Sequence, residues 1–202
     1  MKLYQSIGPN PRVVTMFIAE KGLDIERVDV DLRGGENREE AHLARNPSGQ
    51  TPTLELDDGG CLAEITAICE YLEEVKPAPP LIGATPQERA QTRMWTRRVD
   101  LRICEPMANG FRFGEGLPMF RNRVLCVPEA SPGLKAIARD GEEWLENQLK
   151  GPWIVGERFT LADILLFAFL EFGAQVSQPL DPAFAKLTAW FERVKARPSA
   201  AA

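Results

Sequence analysis

Hydrophobic and polar positions along residues 1–75 change period several times, and each change predicts a new element. Stretches in which apolar and polar residues alternate predict strands, and stretches with apolar residues three and four positions apart predict helices. The predicted strands are residues 2–5, 27–31, 53–56 and 61–62, and the predicted helices are residues 11–21, 38–45 and 64–75. The order β-α-β-α-β-β-α predicts a parallel pair of strands joined by a right-handed crossover, followed by a hairpin.

The rest of the chain shows only helical patterns. Segment 76–86 contains four prolines and one glycine, which predicts a domain boundary. The predicted helices are residues 87–104, 117–127, 134–149, an apolar helix near 164–172 and an amphipathic helix near 187–194. Pro106 is expected to end or kink the first of them. We therefore predict a domain at 1–75, a linker at 76–86 and an all-helical domain at 87–202.

One helix start in the second domain is marked by its capping residues. Thr160 and Asp163 have the spacing of a capping box, with aspartate in the role that glutamate usually takes. Ile164 and the residues after it are apolar on almost every face, as in a buried helix. We assign this motif a structural role and expect Thr160→Ala to cost about 1 kcal/mol.

Pro52 is the first sign of a binding site in the N-terminal domain. It directly precedes a predicted strand, where a proline cannot donate to the ladder. A cis Thr51–Pro52 bond would turn the Thr51 N–H and C=O outward, so that an extended, peptide-like ligand could pair with them. Because most X–Pro bonds are trans, the local sequence alone favours an ordinary trans proline at a strand start.

The second sign of a binding site is the helix that starts near Glu64. Free N–H groups of Ile65 and Thr66, together with the helix dipole, form a carboxylate-sized site. Glu64 beside them could hold an ammonium group, so the α-amino acid end of a ligand would match the pair. The alternative is that Glu64 simply favours the first helical turn, as acidic residues often do.

Composition excludes several classes of protein. The chain is 44% hydrophobic and 26% charged with a net charge of −5, and no basic arm indicates nucleic-acid binding. We expect no signal peptide and no membrane span, because the longest apolar run is residues 164–170.

The only histidine, His42, is expected on a helix surface. The four cysteines form no C-x-x-C pair, so we expect no metal site and reduced thiols in the cytoplasm. They are Cys61, Cys69, Cys104 and Cys126.

Segment 46–68 resembles the cytosolic glutathione transferases. The residues that carry the resemblance are Asn46-Pro47, Gly49-Gln50-Thr51-Pro52 and Glu64-Ile65-Thr66-Ala67-Ile68. It extends over essentially the whole chain and is nearest to the bacterial nu-like and theta-like members. It implies a thioredoxin-like N-terminal domain with a mixed four-stranded sheet, an all-helical C-terminal domain, a homodimer and a cytoplasmic role in detoxification.

The resemblance also implies how glutathione, the co-substrate, is held. Pro52 is then the cis-proline, and the Thr51 backbone pairs with the cysteinyl unit. Gln50 reaches the glycyl carboxylate, while Glu64 and the Ile65 N–H hold the γ-glutamyl end. Ile65 stands where the family has a serine, so a hydroxyl ligand is lost, and Thr66 is the candidate substitute.

For the thiol, the resemblance points to the start of the first helix. Gly8 occupies the position where many members carry a hydroxyl or a cysteine. Asn10 matches an asparagine of the nu-like group, and its amide could donate to the sulfur. Asn10 followed by Pro11 is equally a helix N-cap, and both interpretations remain open. Ser6 is the alternative donor.

A further candidate lies in the long helix of the second domain. By the resemblance, Asp100 reaches the γ-glutamyl amine bound to the other subunit. The alternative is that Asp100 is a solvated acid among neighbouring arginines.

Three functions are compatible with these residues. The first is a glutathione transferase that delivers the thiolate to a small hydrophobic electrophile. The second is a glutathione-dependent disulfide reductase or peroxidase, which the lack of a hydroxyl or cysteine at Gly8 favours. The third is a non-catalytic binding protein on the same fold, which Ile65 and Gly8 keep open.

Overall fold

The computed structural model describes residues 1–202, which form two units. The first unit contains residues 1–81 with 201–202, and the second contains residues 82–200. The division falls between Leu81 and Ile82, inside the proline-rich segment 76–86.

The first unit is built on a mixed four-stranded sheet, as predicted. Its strands are β1 (Lys2–Gln5), β2 (Glu26–Asp29), β3 (Thr53–Glu55) and β4 (Cys61–Ala63), in the order β2-β1-β3-β4. Strand β1 runs parallel to β2 and antiparallel to β3, and β3 pairs antiparallel with β4. The parallel pair β1–β2 requires a crossover, whereas the antiparallel pair β3–β4 requires only a tight turn.

Three α-helices complete this unit. They are α1 (Pro9–Lys21), α2 (Glu40–Arg45) and α3 (Ile65–Val75), and a 3₁₀ turn (Glu36–Arg38) precedes α2. Helix α1 ends at Gly22, whose φ of 57° lies in the left-handed region that glycine adopts without steric penalty. Helices α1 and α3 pack together, and their buried residues form the core with β1 and β3.

A buried ion pair fastens the end of the first unit to its helices. The ammonium of Lys21 contacts the carboxylate of Glu73, and both side chains are almost fully excluded from solvent. Lys21 also donates to the Pro79 carbonyl at 2.5 Å, and Glu73 accepts from the Leu81 N–H at 3.2 Å. These bonds satisfy charges that would be very costly if they were buried alone, and they hold the segment after α3 in place.

The second unit is all-helical, as predicted. Its α-helices are α4 (Pro86–Val99), α5 (Glu105–Phe113), α6 (Leu117–Phe120), α7 (Ser131–Gln148), α8 (Leu161–Gln175) and α9 (Ala185–Lys195). None of the helices in the chain is both long and apolar enough to cross a lipid bilayer.

The helix does not end at Pro106, which was one of the two outcomes expected there, because a π-helical turn (Asp100–Cys104) carries the chain from α4 directly into α5. The prediction for the following segment is wrong. The predicted helix 117–127 is only α6, since no residue of 121–127 is buried and an isolated stretch this short has no packing to stabilise it.

The predicted cap of the buried helix is confirmed. Thr160 is the N-cap of α8, and its N–H donates to Asp163 Oδ2 at 2.9 Å. Asp163 additionally accepts from the Ile154 N–H at 2.9 Å and from Trp190 Nε1 at 2.8 Å. The carboxylate therefore joins the start of α8 to the preceding loop and to α9, which the spacing alone did not indicate.

Candidate functional site

One edge of the sheet collects most of the predicted binding residues. Tyr4 pairs with Thr53 across β1 and β3, and Thr53 pairs with Ala63 across β3 and β4. The end of β1, the residues before β3 and the end of β4 therefore meet at the same edge. This register places the start of α1, the Thr51–Pro52 peptide and Glu64 around one surface.

The Thr51–Pro52 peptide presents an unused pair of backbone groups. The bond is cis, so the trans alternative is wrong. Thr51 is only 8% exposed, yet neither its N–H nor its C=O has a hydrogen-bond partner within the chain. Backbone groups that are this well shielded are nearly always paired. An unpaired donor and acceptor on one residue match the backbone of an extended ligand.

Side chains from the preceding segment hydrogen-bond to carbonyl groups of the loop before Thr51. The Gln50 carbonyl oxygen lies 2.9 Å from Nε2 of His42 and accepts from the Asn46 amide at 3.0 Å. Asn37 donates to the Gly49 carbonyl at 2.6 Å. The expectation that His42 lies on a helix surface is wrong, because α2 turns this side chain onto the loop, where it is 2% exposed. The sequence pattern does not predict this contact, since a lone histidine carries no positional signal.

We expect His42→Phe to weaken glutathione binding about three- to tenfold, because the Gln50 carbonyl loses one of two donors that position the adjacent Thr51. His42→Gln is the matched control, since its amide can still donate at this position. Titration calorimetry with reduced glutathione measures both affinities. Equal affinities of the two variants would contradict a positioning role for the ring nitrogen.

The start of α3 offers a group of donors beside a carboxylate. Glu64 is the N-cap, has a φ of 68° and makes no side-chain hydrogen bond. The N–H groups of Ile65, Thr66 and Ala67 have no partner, as expected in an uncapped first turn. Positive φ at a non-glycine residue costs about 1–2 kcal/mol, and such strain is concentrated at binding sites. The exposed Glu64 side chain and the free N–H groups can hold an ammonium and a carboxylate together.

Asn10 does not cap α1, so that interpretation is wrong. The helix already begins at Pro9, because prolines at positions 9 and 11 both suit a first turn, and Gly8 is the N-cap without a side-chain bond. Pro9 and Pro11 have no N–H, which leaves the Asn10 N–H as the one free donor among the first three residues. The Asn10 side-chain amide is half-buried and has no partner.

Ser6 and Gln50 are the other predicted contacts in this unit. They differ in whether their side chains are already hydrogen-bonded within the protein. The Ser6 hydroxyl donates to the Val30 carbonyl at 2.7 Å, so its proton is already engaged. Ser6 also lines a groove of about 590 Å³ with the loop 29–36. The Gln50 side chain is exposed and makes no hydrogen bond.

Asp100 lies in the second unit, at the beginning of the π-helical turn. Its carboxylate is 3.6 Å from Arg97, one turn earlier on α4. Arg97 is exposed, whereas the Asp100 side chain is half-buried. The solvated-acid alternative and the binding role both remain predictions.

Three of the four cysteines are poorly suited to act as nucleophiles. Burial raises the pKa of Cys69 and Cys104 well above the usual thiol value, and burial also raises the pKa of Cys61. No three histidine, cysteine, aspartate or glutamate side chains lie close enough together to hold a metal ion.

Comparison with known proteins agrees with this geometry. Family models for the N-terminal and C-terminal domains of glutathione S-transferases match residues 7–75 and 117–198. Glutathione S-transferase 2 of Saccharomyces cerevisiae is 32% identical over 95% of this chain and 84% of its own.

Solved structures give the same result. A glutathione S-transferase domain-containing protein of Marinobacter aquaeolei is 36% identical with a TM-score of 0.93, over 98% of this chain and 99% of its own. A glutathione transferase homologue from Sulfitobacter, solved with bound glutathione, is 25% identical with a TM-score of 0.83, over 99% of this chain and 94% of its own. With relatives this similar along nearly its full length, the chain belongs to the glutathione S-transferase family.

Proposed function

We propose that the protein binds glutathione along the sheet edge and transfers it, as the thiolate, to a small hydrophobic electrophile. The unpaired N–H and C=O of Thr51 are the observation that carries this proposal. They would pair with the cysteinyl backbone of glutathione as an added strand. Glu64 with the N–H groups of Ile65 and Thr66 would hold the γ-glutamyl end, and Gln50 would reach the glycyl carboxylate.

Asn10 is the better candidate for stabilising the thiolate. Hydrogen-bond donors at the sulfur lower the thiol pKa, and the start of a helix adds a favourable dipole. Asn10 supplies both a free backbone N–H and a free amide. Ser6 gives its proton to Val30 and has only lone pairs left, which would favour the protonated thiol.

The test is calorimetric titration of the protein with reduced and then with oxidised glutathione. Binding of the reduced form with weak binding of the oxidised form supports conjugation. Tight binding of the oxidised form would instead support disulfide reduction or peroxidase chemistry. If neither form binds, the transferase proposal fails and the non-catalytic alternative remains.

We expect Asn10→Ala to raise the thiol pKa of bound glutathione by about one unit, because a donor to the thiolate is lost. Turnover with a model electrophile should then fall about tenfold below that pKa and recover at higher pH. The thermal midpoint should stay unchanged, since Asn10 caps nothing. A lower midpoint with unchanged kcat would contradict the catalytic role.

The family also suggests a homodimer, in which Asp100 would contact the glutathione bound to the other subunit. We propose this arrangement from the resemblance alone. Measuring the solution mass by light scattering tests the dimer, and a monomeric mass would remove Asp100 from the site.

A further inference from the structure

A partly open cavity lies in the helical unit. It has a volume of about 250 Å³ and is bordered by α5, α7 and the segment after α8. Its walls are apolar where Met107, Ala138 and Pro179 line it, and the other lining residues are polar or charged: Lys135, Arg139, Glu142, Ser177 and Gln178. The residues that line it belong to the second unit, whereas the proposed glutathione residues Asn10, Gln50, Thr51 and Glu64 belong to the first, and Asp100 is not among the lining residues.

Glu142 is the unusual residue of this cavity. Its side chain is 4% exposed, yet its carboxyl group makes neither a hydrogen bond nor an ion pair with the protein. Buried carboxylates are normally paired, because an isolated charge is costly in an apolar environment. Burial raises the pKa of Glu142 to about 7, with Arg139 opposing the rise and Asp181 adding to it.

Gln178 brings a second unpaired acceptor. Its Nε2 donates to the Met107 carbonyl at 3.0 Å, which fixes the orientation of the amide. Oε1 is consequently left buried and without a partner. The backbone is held as well, since the Gln178 N–H donates to the Gly173 carbonyl at 2.8 Å. A Cβ at position 173 would lie 2.6 Å from the Gln178 carbonyl oxygen, so only glycine permits this approach.

The two cationic residues that line the cavity are each paired with an acidic side chain. Lys135 contacts both carboxylate oxygens of Glu115, at 2.5 and 2.8 Å, and Arg139 pairs with Asp181. The remaining titratable neighbour is the buried thiol of Cys104, whose pKa the charge of Glu142 helps to raise. Since Oε1 of Gln178 has almost no accessible surface, the carboxylate of Glu142 is the unpaired acid that a ligand in the cavity can reach.

We propose that this cavity binds a short aliphatic primary ammonium ion. The ammonium would donate to the two carboxylate oxygens of Glu142, while the hydrocarbon packs against Met107 and Ala138. An ammonium group has three donors and no acceptor, which matches an unpaired carboxylate. The volume suits a ligand of a few heavy atoms, since drug-sized ligands occupy about 300–1,000 Å³.

The affinity for the ammonium ion should depend on pH. Binding requires ionised Glu142, so the affinity should increase as the pH rises through the region in which this carboxyl loses its proton. The ligand stays charged over the same range, because alkylammonium groups resemble lysine, with a pKa of about 10.4. The charged groups that act on Glu142 are Arg139 on the same helix and Asp181 in the segment after α8.

The experiment is calorimetric titration with n-butylammonium chloride at pH 8 and pH 6, with n-butanol as the uncharged probe. Saturable binding at pH 8, at least about tenfold tighter than for Glu142→Gln, is expected, because a hydrogen bond to a charged group contributes about 1.5–3 kcal/mol. Glu143→Gln, at the exposed neighbouring position, is the matched control and should bind like the unmodified protein.

Two outcomes would overturn the proposal. One is the absence of saturable n-butylammonium binding at pH 8, and the other is equal affinity in the Glu142→Gln and Glu143→Gln variants. Glutathione affinity is measured on the same samples and should not change in either variant. That measurement also shows that the variants are folded, and it separates this site from the proposed transferase site.

Discussion

Replacing Glu64 by glutamine is expected to lower the affinity for reduced glutathione about ten- to a hundredfold and to leave the thermal midpoint unchanged. Glu64 stands at the start of α3, exposed and without a side-chain partner, so its charge contributes nothing to packing. The positive φ is retained in the glutamine variant, and the backbone strain is therefore the same in both proteins. What is lost is the charge that would pair with the γ-glutamyl ammonium.

The comparison is sharpest with a glutathione analogue that lacks this α-amino group. If Glu64 holds the ammonium, Glu64→Gln should bind the analogue as well as the unmodified protein does. Glu74→Gln, an exposed position farther along α3, is the control for the change in net charge. An equal loss of affinity for both ligands would mean that Glu64 acts through something other than the amine.

The sheet and the start of α3 could be predicted because their signals are local. Asp57 to Gly60 form a turn of residues that tolerate unusual backbone angles, and apolar residues in β3 and α3 repeat with the correct periods. Thr160 and Asp163 are three residues apart, so their capping spacing was also readable. Such features depend on a few neighbouring residues, and tertiary packing did not override them.

Other features depend on residues that are distant in sequence. The hydrophobic pattern does not predict the ion pair of Lys21 with Glu73, because a lysine or a glutamate taken alone is usually solvent-exposed. His42 likewise becomes informative only when α2 is folded against the loop that contains Gln50. Asn10 was ambiguous for a different reason, since the prolines on either side permit two helix starts and only the backbone distinguishes them.

Replacing Asp163 by alanine is expected to lower the free energy of unfolding by about 4 kcal/mol, the largest stability effect we predict. Its two carboxylate oxygens accept from the Thr160 N–H and hydroxyl, the Ile154 N–H and Trp190 Nε1. Alanine leaves these buried donors without an acceptor, and each unsatisfied group costs about 1–3 kcal/mol. Urea unfolding measures the change. Thr160→Ala removes only the cap and should cost about 1 kcal/mol.

The pH dependence of the stability loss in Asp163→Ala tests whether the buried carboxyl is ionised in the folded protein. Burial raises the pKa of Asp163 from 3.8 to about 6, against the effect of its four donors. A group whose pKa is higher in the folded state adds stability below the unfolded value, and that contribution is lost as the pH rises through the folded value. Asp163→Ala should therefore destabilise the protein more at pH 4.5 than at pH 7.5, whereas Asp140→Ala, at an exposed position, should not. The opposite trend would mean that the four donors outweigh burial and hold the carboxylate ionised.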